Sequence, residues 1–214
     1  MSTFYECECK CAVCGATNTY HVIGSTSSFG APDLDLRPPM MQRSTIVAWV
    51  QACPECGYVA NEVSDPTKVT KEWLRSKQYL TCDGIRFSSD LAVNFYRRHL
   101  ICLEEGDPEK AFYAVLHAAW ICDDADDAAN AKRMRKLAVP MAGKLIEDGG
   151  KNKDNLLLIK ADLMRRAGMF DELIEQYSSV SFKEELLNKI LKFQIAKAKN
   201  KDTACYTVQS VVGR

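Results

Sequence analysis

Hydrophobic and polar positions follow two different periods along the chain. Up to about residue 60 the runs are short and roughly alternating, which predicts strands. Residues 3–10 (Thr-Phe-Tyr-Glu-Cys-Glu-Cys-Lys) form one such run, and Cys7, Cys9 and Cys11 fall on one side of it, opposite Glu8 and Lys10. A second run covers residues 17–24. A third, residues 45–52, is β-branched and aromatic (Thr-Ile-Val-Ala-Trp-Val-Gln-Ala) and reads as the strongest strand, with Tyr58-Val59-Ala60 continuing after it. Between the second and third runs, residues 25–41 carry turn formers at Gly30-Ala31-Pro32 and Arg37-Pro38-Pro39. That stretch reads as a long linker holding a charged Asp33-Leu34-Asp35-Leu36-Arg37, expected as a local ion pair near the surface.

Asp65-Pro66 ends this regime, and helical spacing follows. Residues 71–79 form a short amphipathic segment with Thr70 as N-cap. Residues 91–105 and 109–122 flank Gly106-Asp107-Pro108, which supplies a C-terminal Gly, an N-cap Asp and a Pro at the first helical position. The second of these helices is apolar nearly all round and is expected at the centre of the core. Residues 128–147 read as a long helix with a kink at Pro140, closed by Gly149-Gly150. Residues 156–167 and 171–177, joined at Gly168, read as a helical hairpin. A capping box at Ser181–Glu184 opens a last helix to about Lys199, and residues 203–214 are expected to be a loose tail or a short final turn. The predicted fold class is α+β, with a β module over residues 1–66 and a mainly α-helical domain over residues 67–214.

Composition excludes little. The chain of 214 residues is 47% hydrophobic and 26% charged, enough for a packed core. Its formal net charge is zero. Residues 1–70 hold four cationic and seven acidic side chains, net −3, and the remainder is +3. A module built to grip phosphates is normally basic, so nucleic acid is an unlikely partner. The start of the chain lacks a basic segment followed by an apolar run, and no apolar stretch approaches the roughly 18 residues needed to span a bilayer. These features predict a cytoplasmic protein without a membrane partner.

The chemistry concentrates in two hooks, Cys11-Ala12-Val13-Cys14-Gly15 and Cys53-Pro54-Glu55-Cys56-Gly57. A two-residue spacer aims both sulfurs of a hook at one point, and a Gly after the second Cys gives the backbone the φ freedom this requires. Two hooks supply four thiolates, the complement of a closed tetrahedral Zn²⁺ site. Cys11, Cys14, Cys53 and Cys56 are therefore the expected ligands, and Zn²⁺ the expected cofactor. The strand–hook–strand pattern, repeated across the linker, is that of a zinc ribbon. Four sulfurs leave no position for substrate, which points to a structural ion. A dithiol-exchange role is disfavoured because no helix follows either hook to lower a thiolate pKa.

Other candidates carry less. Cys7 and Cys9 read as strand cysteines rather than as a second metal site, and His21 as a strand histidine rather than a ligand. His99 and His117 lie in helical segments and are expected to pack in the core. The acidic run from Asp123 to Asp127 lacks the Gly and terminal Glu of a calcium loop and suits the start of the next helix. Lys132, Arg133, Arg135 and Lys136 read as a solvated face. No nucleophile constellation, phosphate loop or dinucleotide fingerprint is present, so no catalytic residue is assigned and the chain is read as a non-enzyme.

Small residues flank Gly106 and Gly168 much as they do in tetratricopeptide hairpins. The glycines are 62 residues apart, against about 34 in a tandem array, so a long insertion separates the two units. Helix pairs stacked in this way offer a concave surface to a peptide or protein.

The first hook, the Asp33-Leu34-Asp35-Leu36-Arg37-Pro38-Pro39 loop and the run Trp49-Val50-Gln51-Ala52-Cys53-Pro54-Glu55-Cys56-Gly57-Tyr58 together resemble a group of uncharacterised bacterial proteins known as a domain of unknown function. The resemblance implies a bacterial origin and a zinc-ribbon-like segment joined to tetratricopeptide-like helices. It also implies metal ligation by Cys11, Cys14, Cys53 and Cys56, and it brings no activity with it. The resulting expectation is an adaptor that binds an unidentified protein through its helices. The alternatives are a nucleic-acid-binding zinc ribbon and a metal- or thiol-dependent enzyme.

Overall fold

The computed structural model describes residues 1–149 and 152–213. Its elements are α+β: short antiparallel strands at the start, then mostly helix. Strands β1 (Thr3–Lys10) and β2 (Thr17–Ser25) form an antiparallel hairpin whose register pairs Cys7 with Tyr20 and Cys9 with Asn18. Strands β3 (Gln51–Ala52) and β4 (Val59–Ala60) form a second, two-residue hairpin. Each hairpin carries one hook at its turn.

Between the hairpins lies the main departure from the sequence expectation. Residues 45–52 are not one strand. After the single helical turn α1 (Met40–Arg43), residues Ser44–Ala48 wind as a 3-10 helix, and only Gln51–Ala52 is extended. Local bonds hold the turn: the Thr45 hydroxyl donates to the Gln42 carbonyl at 2.8 Å, and the Trp49 indole N–H donates to Thr45 Oγ1 at 2.9 Å. Strand propensity reflects the fit of a side chain to a pleated, half-buried surface, and these contacts override it here.

The remaining helices are α2 (Lys71–Leu74), α3 (Lys77–Thr81), α4 (Asp90–Glu105), α5 (Pro108–Asp124), α6 (Ala128–Glu147), α7 (Lys153–Arg166), α8 (Phe170–Tyr177), α9 (Glu185–Lys199) and α10 (Val208–Val212). The expected helix over residues 71–79 is two single turns, capped by the hydroxyls of Thr70 and Ser76. The α4–α5 junction follows the expectation closely. Gly106 takes φ +75°, Asp107 accepts a hydrogen bond from the Lys110 amide, and Pro108 opens α5. Helix α6 runs through Pro140 to Glu147 without a break. Asp127 caps its start by accepting from the Asn130 amide, the role expected for the acidic run. Of the predicted Gly149-Gly150 stop, Gly149 takes φ +73° and Gly150 lies outside the described residues. No described helix is long and apolar enough to cross a membrane.

By compactness the chain falls into two units, Met1–Ser28 with Met41–Ala131 and Phe29–Met40 with Lys132–Arg214. In the first unit the two hairpins belong with α2–α5, and Tyr58, Val59, Val63, Tyr79, Phe112 and Leu116 are buried. In the second, Met134, Ile159, Leu163, Met164 and Leu173 form the buried apolar set.

The second unit corrects three further expectations. Asp33, Asp35 and Arg37 are buried rather than near the surface, as is Arg135 from the supposed solvated face. Of the two forms expected for the tail, the structure has the short final turn, α10, capped by Thr207 and tied down where the Leu34 amide donates to the Tyr206 carbonyl and the Val208 amide to the Pro32 carbonyl. Helix α9 starts without the Ser181–Glu184 capping box. The Asn188 side chain instead bonds both the amide and the carbonyl of Phe182, at 2.9 and 2.7 Å.

Candidate metal centre

The two hooks share one backbone plan. In the first, the Cys11 amide donates to the Ala16 carbonyl and the Gly15 amide returns to the Cys11 carbonyl, at 2.8 and 2.9 Å. In the second, the Cys53 amide donates to Tyr58 and the Gly57 amide to Cys53, at the same two distances. Closing the second bond of each hook puts Gly15 and Gly57 at φ +79° and +75°, where a side chain would be strained.

The hooks face each other. Cys11 Sγ lies 3.7 Å from Cys56 Sγ, and Cys14 Sγ lies 3.6 Å from Cys53 Sγ. All four sulfurs fall within 4.8 Å of one another, and among the described residues this is the one group of three or more Cys, His, Asp or Glu side chains that could hold a metal ion. The first Cys of each hook is buried and the second is half-exposed. The nearest contacts pair a buried cysteine with a half-exposed one across the site, which gives the cluster an approximate two-fold symmetry.

Neighbours hold both hooks in place. The Ala12 amide donates to the Val63 carbonyl at 2.8 Å, and the Val63 amide donates to the Gln51 side-chain oxygen at 2.9 Å. This short relay ties the first hook to the second hairpin. On the other side the buried Tyr79 donates its hydroxyl to the Gly57 carbonyl at 2.6 Å. A recess of about 440 Å³ opens beside Cys14 and Cys56, with Glu55, Lys71 and Arg75 around it.

Without a cation the thiols are unequal. A backbone hydrogen bond from Ala16 holds Cys14 below the ordinary thiol range, whereas burial pushes Cys53 and Cys56 above it. Buried thiols of this kind resist ionisation singly, and a bound cation deprotonates them together.

Other residues singled out by sequence lie elsewhere. His21 is exposed and pairs with Glu6 across the hairpin, outside the cluster. His99 is buried, its ring bonded to the Ala111 carbonyl. His117 sits among the rings of Trp49, Phe95 and Trp120, with centroids 5.1, 5.3 and 4.8 Å away. Cys7 and Cys9 stand outside the four-sulfur cluster, with their own sulfurs 3.6 Å apart.

In the second unit, sequence reading missed a buried polar hub. Arg165, fully buried, donates to Asp162, to the Gln194 side chain, and to the backbone carbonyls of Asp202 and Ala204. Its neighbour Arg166 reaches Asp35 at 3.3 Å. The only sequence signal was two adjacent arginines near the end of a helix, which elsewhere mark a solvated C-terminus.

The family model described as "Uncharacterized protein conserved in bacteria (DUF2225)" matches residues 4–203. Comparisons with curated proteins and with solved structures give no match.

Proposed function

The chain belongs to this bacterial family over a span that takes in both hooks and every helix through α9, and on that premise we propose that it is a zinc-stabilised interaction protein. Cys11, Cys14, Cys53 and Cys56 hold a structural Zn²⁺, and the helices bind another protein in the bacterial cytoplasm.

The observation that carries the reading is the four-sulfur cluster. A tetrahedral zinc with bonds of about 2.3 Å sets its sulfurs about 3.8 Å apart. The two closest contacts across the hooks, 3.7 and 3.6 Å, suit that edge with little adjustment. Thiolates alone select a soft or borderline ion, and four of them around one point favour zinc or an iron–sulfur centre. Among these zinc best suits a ribbon with one pair from each hook. The ion adds no chemistry beyond neutralising and joining four thiolates. Two-residue strands have too little core to hold themselves, so the ion would supply folding free energy on the order of 10 kcal/mol.

The partner half of the reading is supported by two helical hairpins, α4–α5 and α7–α8, turned by Gly106 and Gly168 with φ of +75° and +77°. We read these as tetratricopeptide-like pairs, which expose faces for protein binding. Leu103 and Tyr113, on α4 and α5, are exposed apolar residues available for such a contact.

The test has two parts. Elemental analysis of the purified chain should find zinc, and a chelator should unfold the hairpins. A metal-free chain that keeps its hairpins in chelator would overturn the centre. Crosslinking in the bacterial host should capture a protein that a Leu103→Glu, Tyr113→Glu variant no longer captures. Recovery of no specific partner would overturn the adaptor.

A further inference from the structure

The four-sulfur centre leaves Cys7 and Cys9 unused, and their surroundings are not those of ordinary strand cysteines. Both are half-buried, while Glu6, Glu8 and Lys10 on the other face of β1 are exposed. Their sulfurs lie 3.6 Å apart. Directly across the hairpin, on the same face, stand Tyr20 opposite Cys7 and Asn18 opposite Cys9. The Tyr20 hydroxyl and the Asn18 side-chain nitrogen are both shielded from solvent, and neither has a hydrogen-bond partner. Two shielded donors without acceptors are costly to the fold. They belong to the face of the hairpin that carries Cys7 and Cys9, whose sulfurs would become strong acceptors on ionisation.

We propose that Cys7 and Cys9 form a second, two-thiolate site that binds a soft monovalent cation of the Cu(I) class, with Tyr20 and Asn18 donating hydrogen bonds to its sulfurs. Thiolate donors select soft ions. The number of ligands then decides among them: two sulfurs satisfy Cu(I), whereas Zn²⁺ calls for four donors. Binding releases two protons, as two thiols and one Cu⁺ give a bis-thiolate complex with a single negative charge. The O–H of Tyr20 and the N–H of Asn18 would be the donors to that charge, from the facing positions of β2. Hydrogen bonds of this kind orient metal ligands and raise affinity.

A disulfide fits the pair less well. Strand residues two apart have Cα atoms about 6.7 Å from each other, at the far edge of the roughly 4.4–6.8 Å that disulfides span. The pairing of β1 with β2 over its whole length opposes the pinch that bond would need. Chelation of one ion needs the sulfurs, 3.6 Å apart here, to open slightly, which rotation of the two side chains supplies without moving the backbone.

The experiment titrates the zinc-loaded full chain with Cu(I), supplied as its acetonitrile complex under argon, against a chromophoric Cu(I) chelator. Zinc retention is measured in the same samples. The expected result is uptake of a single copper per chain with zinc retained, and loss of that uptake in Cys7→Ser, Cys9→Ser. Tyr20→Phe, which keeps both thiols and the hairpin, should weaken copper binding about tenfold. Copper uptake that survives the double Ser variant, uptake matched by loss of zinc, or no uptake at all would each overturn the site. A chain that purifies without zinc would refute the four-sulfur reading, and the dependence of copper uptake on Cys7 and Cys9 would still decide this one.

Discussion

Tyr79 donates its hydroxyl to the carbonyl of Gly57 at 2.6 Å, joining the short helix α3 to the back of the second hook. Gly57 is also the residue whose amide closes that hook on Cys53. A helical residue outside the β module therefore sets the position of a turn that aims two sulfurs. Tyr79→Phe keeps the ring and removes only the bond, leaving the Gly57 carbonyl without its buried donor. The expected cost is about 1–2 kcal/mol in urea unfolding, with faster zinc transfer to a chromophoric chelator. Unchanged transfer would separate α3 from the hook.

Removal of the metal should act on the first unit selectively. Cys11→Ser or Cys53→Ser takes out a buried sulfur of the proposed zinc site, and either should abolish stoichiometric zinc and collapse the hairpin amide signals in NMR. His21→Ala should retain both zinc and those signals, because His21 is exposed and outside the cluster.

Arg165 in the second unit gives the largest expected effect of a single substitution away from the metal. Arg165→Met preserves bulk but leaves Asp162 buried without its 2.6 Å partner and releases the carbonyls of Asp202 and Ala204. Breaking one side of a buried ion pair costs about 3–5 kcal/mol. The measured signs would be a lower urea midpoint and new proteolytic cleavage near residues 202–206.

His117 sets an acid limit. Burial among aromatic rings pushes its pKa down to about 3, from 6.5. As pH falls below about 6.5 the unfolded chain takes up a proton that the folded chain refuses. This contribution to stability is complete above 6.5 and is lost progressively down to about pH 3. His117→Phe should flatten the difference in stability between pH 7 and pH 5 relative to the parent chain, with both followed by denaturant unfolding. An equal slope in the two proteins would show that other groups carry the acid response.

Residues 33–37 show most clearly where sequence reading stops. Asp-Leu-Asp-Leu-Arg between two proline-rich turns carries the composition of an exposed loop, and nothing nearby in the chain marks it otherwise. Its partner Arg166 lies 131 residues away from Asp35. The tail residues Tyr206 and Val208, which bond the backbone at Leu34 and Pro32, are still more distant in sequence. The run at 45–52 fails for a related reason. Its strand propensity is real, but Thr45, Gln42 and Trp49 close a turn that alternation alone does not reveal.

What sequence alone determined is whatever local geometry dictates. A two-residue spacer and a following Gly make each hook, and Gly106-Asp107-Pro108 makes the α4–α5 turn; the distances involved span a few residues, and the conformational constraint travels with the residue type. The meeting of the hooks was inferable because four like ligands have one common use. Only the tertiary structure decided which charges are buried, where the tail lies, and that Tyr20 and Asn18 stand unpartnered across from Cys7 and Cys9. Each of these depends on strand register or on partners far away in the chain. Burial of a charge is permitted only where such partners converge, and that convergence is a property of the folded chain as a whole.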